Sequence, residues 1–264
     1  MRSVVRTAAA AARLFLLIVV MAAPAAASDL HGVGVVFVHG KAVWAGAFDG
    51  GIPSDLEARG AVTAEPEMPW SFGRMYGATW DQAMREIDAA VAGLRARGAT
   101  RIVIIGHSLG ANAAIGYAAR NHTVVRAVVA MSPGHLPETQ EMRDATGAAI
   151  AKARALVAAG DTSLQVWPDR VQGIPTFARA SPQTYLSLFD PDGPANIPRN
   201  AAALKEVPLM WVVGQFDPIY SRGRDYAFSR ARNPKSRYVE VTATHLTAPA
   251  VARTMVVEWL ASVL

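Results

Sequence analysis

One pentapeptide concentrates the chain's reactive chemistry. Gly106-His107-Ser108-Leu109-Gly110 sets a serine between two glycines. The run before it, Arg101 to Ile105, is apolar and rich in β-branched residues, and the run after it, Leu109 to Arg120, is Ala-rich and reads as a helix. A strand entering a helix through so tight a turn lifts the serine Oγ to the carboxyl edge of a sheet. There the helix N-terminus favours developing negative charge. A serine hydroxyl is a poor nucleophile near neutral pH and needs a base. The six histidines are His31, His39, His107, His122, His135 and His245. His245 lies just past the last strand-like run and ahead of a final helix to Leu264, which puts it on a loop at the same sheet edge as Ser108. Asp217 ends the run Val212-Val213-Gly214-Gln215-Phe216-Asp217 and supplies a carboxylate able to orient and charge-balance an imidazole. The alternative position, after Met131, holds Ser132-Pro133, and Asp190 and Asp192 lie in a Pro-rich stretch as weaker candidates. Serine, histidine and aspartate in these places imply acyl transfer through a covalent acyl-enzyme.

Other chemistries are excluded or unsupported. The chain has no cysteine, so thiol catalysis, thiolate metal sites and disulfides are ruled out. It has no H-E-x-x-H and no G-x-x-x-x-G-K-[ST], and Gly32-Val33-Gly34 lacks the third glycine of a dinucleotide loop. No cofactor and no metal are expected. Arg2, Arg6 and Arg13 followed by the apolar run Leu14 to Met21 and by Ala25-Ala26-Ala27 read as a signal peptide over residues 1–27, cleaved after Ala27. The expected location is therefore the periplasm or the exterior, with no stable membrane span after cleavage. Three of the 26 basic residues and none of the 21 acidic ones lie in that segment, leaving a net charge of +2. So small an excess gives no reason to expect nucleic acid as a partner. Oligomeric state is not legible.

The elements that must position these groups follow from the apolar runs. Strands are expected at Val33 to Val38, Ala61 to Glu65, Arg101 to Ile105, Val124 to Met131, Pro208 to Val213 and Arg237 to Val241. Several are continuous apolar runs, as in parallel strands buried on both faces. Their alternation with helices predicts an α/β fold with a doubly wound, mostly parallel sheet of about six strands. Thr79 and Gln82 form a capping box ahead of Met84, Ile87, Val91 and Leu94 at helical spacing, and Gly98 ends that helix. From 133 to 206 the alternation breaks. One helix is expected near Glu138 to Ala159. Pro168, Pro175, Pro182, Pro191, Pro194 and Pro198 then argue against long regular elements. The aromatic and apolar residues there (Trp167, Phe177, Tyr185, Leu186, Leu188, Phe189) make it a helical and irregular cap inserted into a core of residues 28–132 and 207–264.

The sequence resembles the α/β-hydrolases, in particular serine esterases and lipases, over about residues 33–131 and 205–264. The resemblance rests on His39-Gly40 after the first strand, the glycine-bracketed Ser108, and Asp217 and His245 in that chain order. It implies an oxyanion hole made by the backbone N–H groups of Lys41 and Leu109. The reaction it implies is hydrolysis of a small to medium carboxylic ester with an apolar acyl or alcohol part. An amidase, thioesterase or perhydrolase would use the same site, and a non-catalytic binding protein of this fold is the remaining alternative. The family's usual amino-terminal antiparallel strands are missing.

His39, Trp44, His107 and His135 are candidates to meet substrate. The blander expectations are that His39 holds the oxyanion loop, that His107 packs nearby, and that Trp44, Trp70 and Trp80 are core. His31 and His122 are expected at the surface. Lys41 is expected to reach solvent, since lysine is rarely buried unpaired; the alternative is that it points into the pocket and favours acidic substrates. The basic stretch from Arg222 to Arg237 is expected to be a solvated helix face, with binding of an acidic polymer as the lesser reading.

Overall fold

The computed structural model describes residues 29–264. The expected signal segment, residues 1–27, lies outside the described residues. The chain builds a six-stranded, wholly parallel sheet in the order β2-β1-β3-β4-β7-β8. Its strands are β1 (Val33–Val38), β2 (Val62–Ala64), β3 (Arg101–His107), β4 (Val125–Met131), β7 (Leu209–Gly214) and β8 (Arg237–Val241). Helices α1 (Ile52–Glu57) and α7 (Ala248–Val263) cover one face. There Ile52, Leu56, Val256 and Leu260 pack against Val35, Phe37, Val103, Ile105 and Val129. Helices α2 (Trp80–Ala96) and α3 (Leu109–Arg120) cover the other, against Val36, Val38, Ile102, Ile104 and Val128. Alternate residues of each strand thus face two cores, which is why β1 and β3 are continuous apolar runs.

β1 lies between β2 and β3. From β1 the chain winds outward to β2, then crosses back to β3 on the other side. The carboxyl ends of β1 and β3 therefore flank a switch point, where open α/β sheets form their crevice. The Thr79–Gln82 capping box opens α2, with its side-chain and backbone bonds both formed.

Between β4 and β7 the chain leaves the sheet. It forms α4 (Gln140–Ala158), an antiparallel hairpin of β5 (Gln165–Val171) and β6 (Ile174–Ala180), and helices α5 (Pro182–Phe189) and α6 (Ile197–Ala202). The hairpin departs from the irregular structure expected of so Pro-rich a stretch. Its two strands pair only with each other, so Pro168 and Pro175 can turn their missing donors outward. Gln172 and Gly173 both have positive φ (50° and 81°), the requirement of a two-residue hairpin turn that follows the strand twist. One hairpin face buries Trp167, Asp169, Ala178 and Ala180; the other exposes Val166 and Phe177. Trp167 stacks on Tyr185 at 4.7 Å between ring centres, and Tyr185 on Phe189 at 4.3 Å, which docks the hairpin onto α5.

The basic stretch from Arg222 to Arg237 is likewise not a helix. It is loop with 3₁₀ turns at Tyr220–Arg222 and Phe228–Arg230. Gly223 breaks the first turn at φ 63°, and Arg224 lies over the rings of Phe228 and Tyr238. No helix among the described residues is long and apolar enough to cross a membrane.

Candidate active site

Ser108 sits between β3 and α3 with φ 57° and ψ −122°, a conformation that costs a non-glycine residue about 1–3 kcal/mol. Its backbone is held from both sides: its N–H donates to the Met131 carbonyl and its own carbonyl accepts from Gly134 N–H, each at 3.0 Å. The bracketing glycines are steric necessities. A Cβ on Gly106 would lie 2.1 Å from the Gly110 carbonyl oxygen, and one on Gly110 would lie 1.9 Å from that of Val38. Gly134 plays a comparable part that the sequence reading missed. A Cβ there would fall 2.7 Å from Ser108 Oγ, so the bare backbone of the β4–α4 loop forms one wall around the hydroxyl.

His245 and Asp217 come from the loops after β8 and β7, at the same sheet edge. His245 Nδ1 and Asp217 Oδ2 are 2.9 Å apart, and both side chains are buried. Burial opposes ionisation of Asp217, but the His245 hydrogen bond and charge and the Ile219 amide outweigh it, so the carboxyl lies below its ordinary range. An imidazole whose Nδ1–H is held by a carboxylate has Nε2 free to accept a proton. Ser108, Asp217 and His245 line one cavity of about 130 Å³.

His107 anchors this arrangement from behind. Its Nε2 lies 2.9 Å from the His245 carbonyl oxygen, and its Nδ1 is buried with no partner. Nε2–H is therefore the donor and the ring is neutral. Burial first, then the proximity of His245, push its pKa down to about 4.

The loop after β1 is fixed by His39. Its Nδ1 donates to the Gly40 carbonyl at 2.7 Å, and its Nε2 accepts from the Met68 N–H at 3.0 Å. Trp70 Nε1 donates to the His39 carbonyl at 2.9 Å. Among the described residues, the amides of Lys41 and Leu109 donate to no backbone or side-chain oxygen. They are thus available at the switch-point crevice beside Ser108.

The Lys41 side chain does not reach solvent, contrary to expectation. Its Nζ donates to Asp169 Oδ1 at 2.6 Å and to the Arg170 carbonyl at 3.1 Å, and the pair is 5% and 2% exposed. Tyr76 OH donates to the other Asp169 oxygen at 2.6 Å. Burial opposes the Asp169 charge, but Lys41 and the donors around it prevail and hold its pKa below the ordinary value. The lysine is buried because Asp169 on the hairpin, distant in sequence, is there to pair with it.

Of the four residues expected to meet substrate, His135 lines the cavity. Its Nε2 is 2.7 Å from the Leu188 carbonyl oxygen, and burial pushes its pKa down to about 3. The other three are outside the lining. His39 and His107 serve the backbone as described, and Trp44 is 57% exposed against Phe72. Trp70 and Trp80 are core. The insertion contributes Pro133, Leu136, Met142, Val171 and Arg170 to the lining, and the loop after β7 contributes Pro218, Ile219 and Arg222. Among the described residues no group of three or more His, Asp or Glu could hold a metal ion.

A sequence profile of the alpha/beta hydrolase family matches residues 35–257. No curated protein sequence matches the chain. Among solved structures it is similar to a monoacylglycerol lipase from Paleococcus ferrophilus, at TM-score 0.64 and 21% identity over 88% of this chain and 95% of that one. It is also similar to Est1E from Butyrivibrio proteoclasticus with ferulic acid bound (TM-score 0.59, 15% identity, covering 89% and 90%). The thioesterase domain from the curacin biosynthetic pathway is a third (TM-score 0.56, 14% identity, covering 86% and 90%). At these identities the likeness is one of fold.

Proposed function

The chain belongs to the alpha/beta hydrolase family, and from that premise we propose that it is a serine hydrolase cleaving a small carboxylic ester, with Ser108, His245 and Asp217 as its triad. The observation that carries the proposal is the strained Ser108 turn sharing a cavity with a buried His245–Asp217 pair. In this reading Ser108 Oγ attacks the ester carbonyl while His245 Nε2 takes its proton. Asp217 fixes the imidazole tautomer and stabilises the imidazolium. The oxyanion is received by the amides of Lys41 and Leu109, each such donor being worth about 3 kcal/mol to the transition state. His245 then protonates the departing alcohol, and water cleaves the acyl-enzyme by the same path reversed. A cavity of about 130 Å³ walled by Pro133, Leu136, Met142, Val171 and Ile219 suits a short, partly apolar acyl or alcohol group. We also propose that the protein acts outside the cytoplasm, on the strength of its amino-terminal sequence.

The test is hydrolysis of p-nitrophenyl esters of graded chain length. Wild type is expected to turn over short acyl chains best. Ser108→Ala and His245→Ala are expected to lose on the order of 10⁴-fold or more in kcat. Retention of wild-type turnover by Ser108→Ala would overturn the reading. Faster cleavage of matched thioesters or amides than of esters would keep the triad and change the substrate class.

A further inference from the structure

Where the insertion meets the loop after β7, two arginines at the cavity lining share one carboxylate. Lys41 is neutralised by Asp169, and the Asp217 carboxylate is engaged by the neutral His245 ring within the triad. Away from these pairs the lining holds Arg170 from the hairpin and Arg222 from the loop after β7, with Glu141 in the first turn of α4 between them. Glu141 is a poor partner to both. It lies 3.7 Å from Arg170 Nη1 and 3.6 Å from Arg222 Nη2, beyond hydrogen-bonding distance, and its side chain is 54% exposed.

Both guanidinium groups keep unused donors. The Arg222 guanidinium makes no hydrogen bond among the described residues and rests over the Tyr226 ring. Arg170 donates Nη1–H to the Gly173 carbonyl at 2.7 Å, while its Nε is buried with no partner. The terminal donors of these two part-exposed guanidinium groups can take a carboxylate in the cavity.

We propose that Arg170 and Arg222 bind an anionic group on the substrate, so that the preferred ester carries a carboxylate near the far end of its acyl or alcohol part. The proposal deepens the esterase reading and rests on it. The apolar wall then takes the connecting carbons, and the two arginines set which end of the molecule enters first.

The experiment compares p-nitrophenyl hemisuccinate with neutral p-nitrophenyl butyrate as the ratio of their kcat/KM values. Wild type is expected to favour the hemisuccinate. Arg170→Gln and Arg222→Gln should each lower the ratio by about tenfold, the scale of one charge-assisted hydrogen bond. Glu141→Gln removes the competing carboxylate and should raise it, a sign that a merely damaged fold would not produce. The preference should also shrink in 1 M NaCl, where the screening length is ~3 Å. Calorimetric binding of monoethyl succinate to Ser108→Ala separates the two readings, since it needs no turnover. Arginine-dependent binding without any ester hydrolysis would sustain the anion site and sink the esterase. Butyrate hydrolysis with a ratio unmoved by all three substitutions would overturn the anion site alone.

Discussion

At the scale of single residues, what the sequence shows best is where the proposed nucleophile stands, and what it hides is the space around it. That Ser108, Asp217 and His245 share one cavity is legible because each follows a strand-like run, and a parallel sheet brings such ends to one edge. The residues that fill in around them carried no local signal. Gly134 looks like an ordinary loop glycine, yet a Cβ there would press to 2.7 Å of Ser108 Oγ. Its φ is not in the left-handed region, so alanine is tolerated by the backbone and the damage should fall on the hydroxyl. Gly134→Ala is therefore expected to keep its thermal midpoint within a few degrees and to lose about 10²-fold in kcat, as a displacement near 1 Å does. Parallel melting and rate measurements check this; equal rates would show that Oγ does not need that space. Lys41 departs from expectation for a related reason: in sequence it is a lone lysine, and only the hairpin supplies Asp169.

At the scale of elements, the strands and the capping box of α2 were legible because apolar runs and cap chemistry are local. The β5–β6 hairpin was not. Its prolines read as breakers, although a two-stranded ribbon has an outward edge on each strand where proline is harmless. Its turn uses Gln172-Gly173 rather than the stronger Asn-Gly or Asp-Gly signal. This hairpin carries Asp169 down onto Lys41 and so ties the insertion to the loop after β1. Asp169→Asn would leave the Lys41 charge buried and unpaired, at a cost of about 3–5 kcal/mol. Pairing Lys41→Met with Asp169→Asn removes the stranded charge while keeping an acceptor for Tyr76, and should recover most of that loss. Denaturant midpoints of the single and double variants measure the difference. A double variant no more stable than the single one would show that the loss does not come from the stranded Lys41 charge.

At the scale of the whole molecule, the two cores are complete without cysteine, and acid sensitivity follows from histidines buried neutral within them. His107 and His135 each use Nε2–H as a donor to a backbone carbonyl and bury an unprotonated Nδ1 without a partner. Their native pKa values, about 4 and about 3, lie below the ordinary 6.5. Between pH 6.5 and 4 the unfolded chain binds protons at these rings and the native chain does not. Stability is thus full above pH 6.5 and falls as pH drops through that window, by on the order of 3 kcal/mol for each ring. A thermal midpoint followed from pH 7.5 to 4.5 should decline, and His135→Phe should decline less steeply. A flat profile would mean that these rings are protonated or exposed in the native state. None of this was legible from the sequence, where His107 is only the variable residue of a pentapeptide and His135 a residue before a leucine.

The central claim is an activated Ser108, and a fluorophosphonate probe tests it most directly, because it phosphonylates a serine only when a neighbouring base and oxyanion donors make it nucleophilic. The folded protein is expected to gain one phosphonyl adduct by intact mass, mapped to the peptide containing Ser108, and Ser108→Ala none. A folded wild type that takes no adduct, or takes it at another serine, would contradict the account.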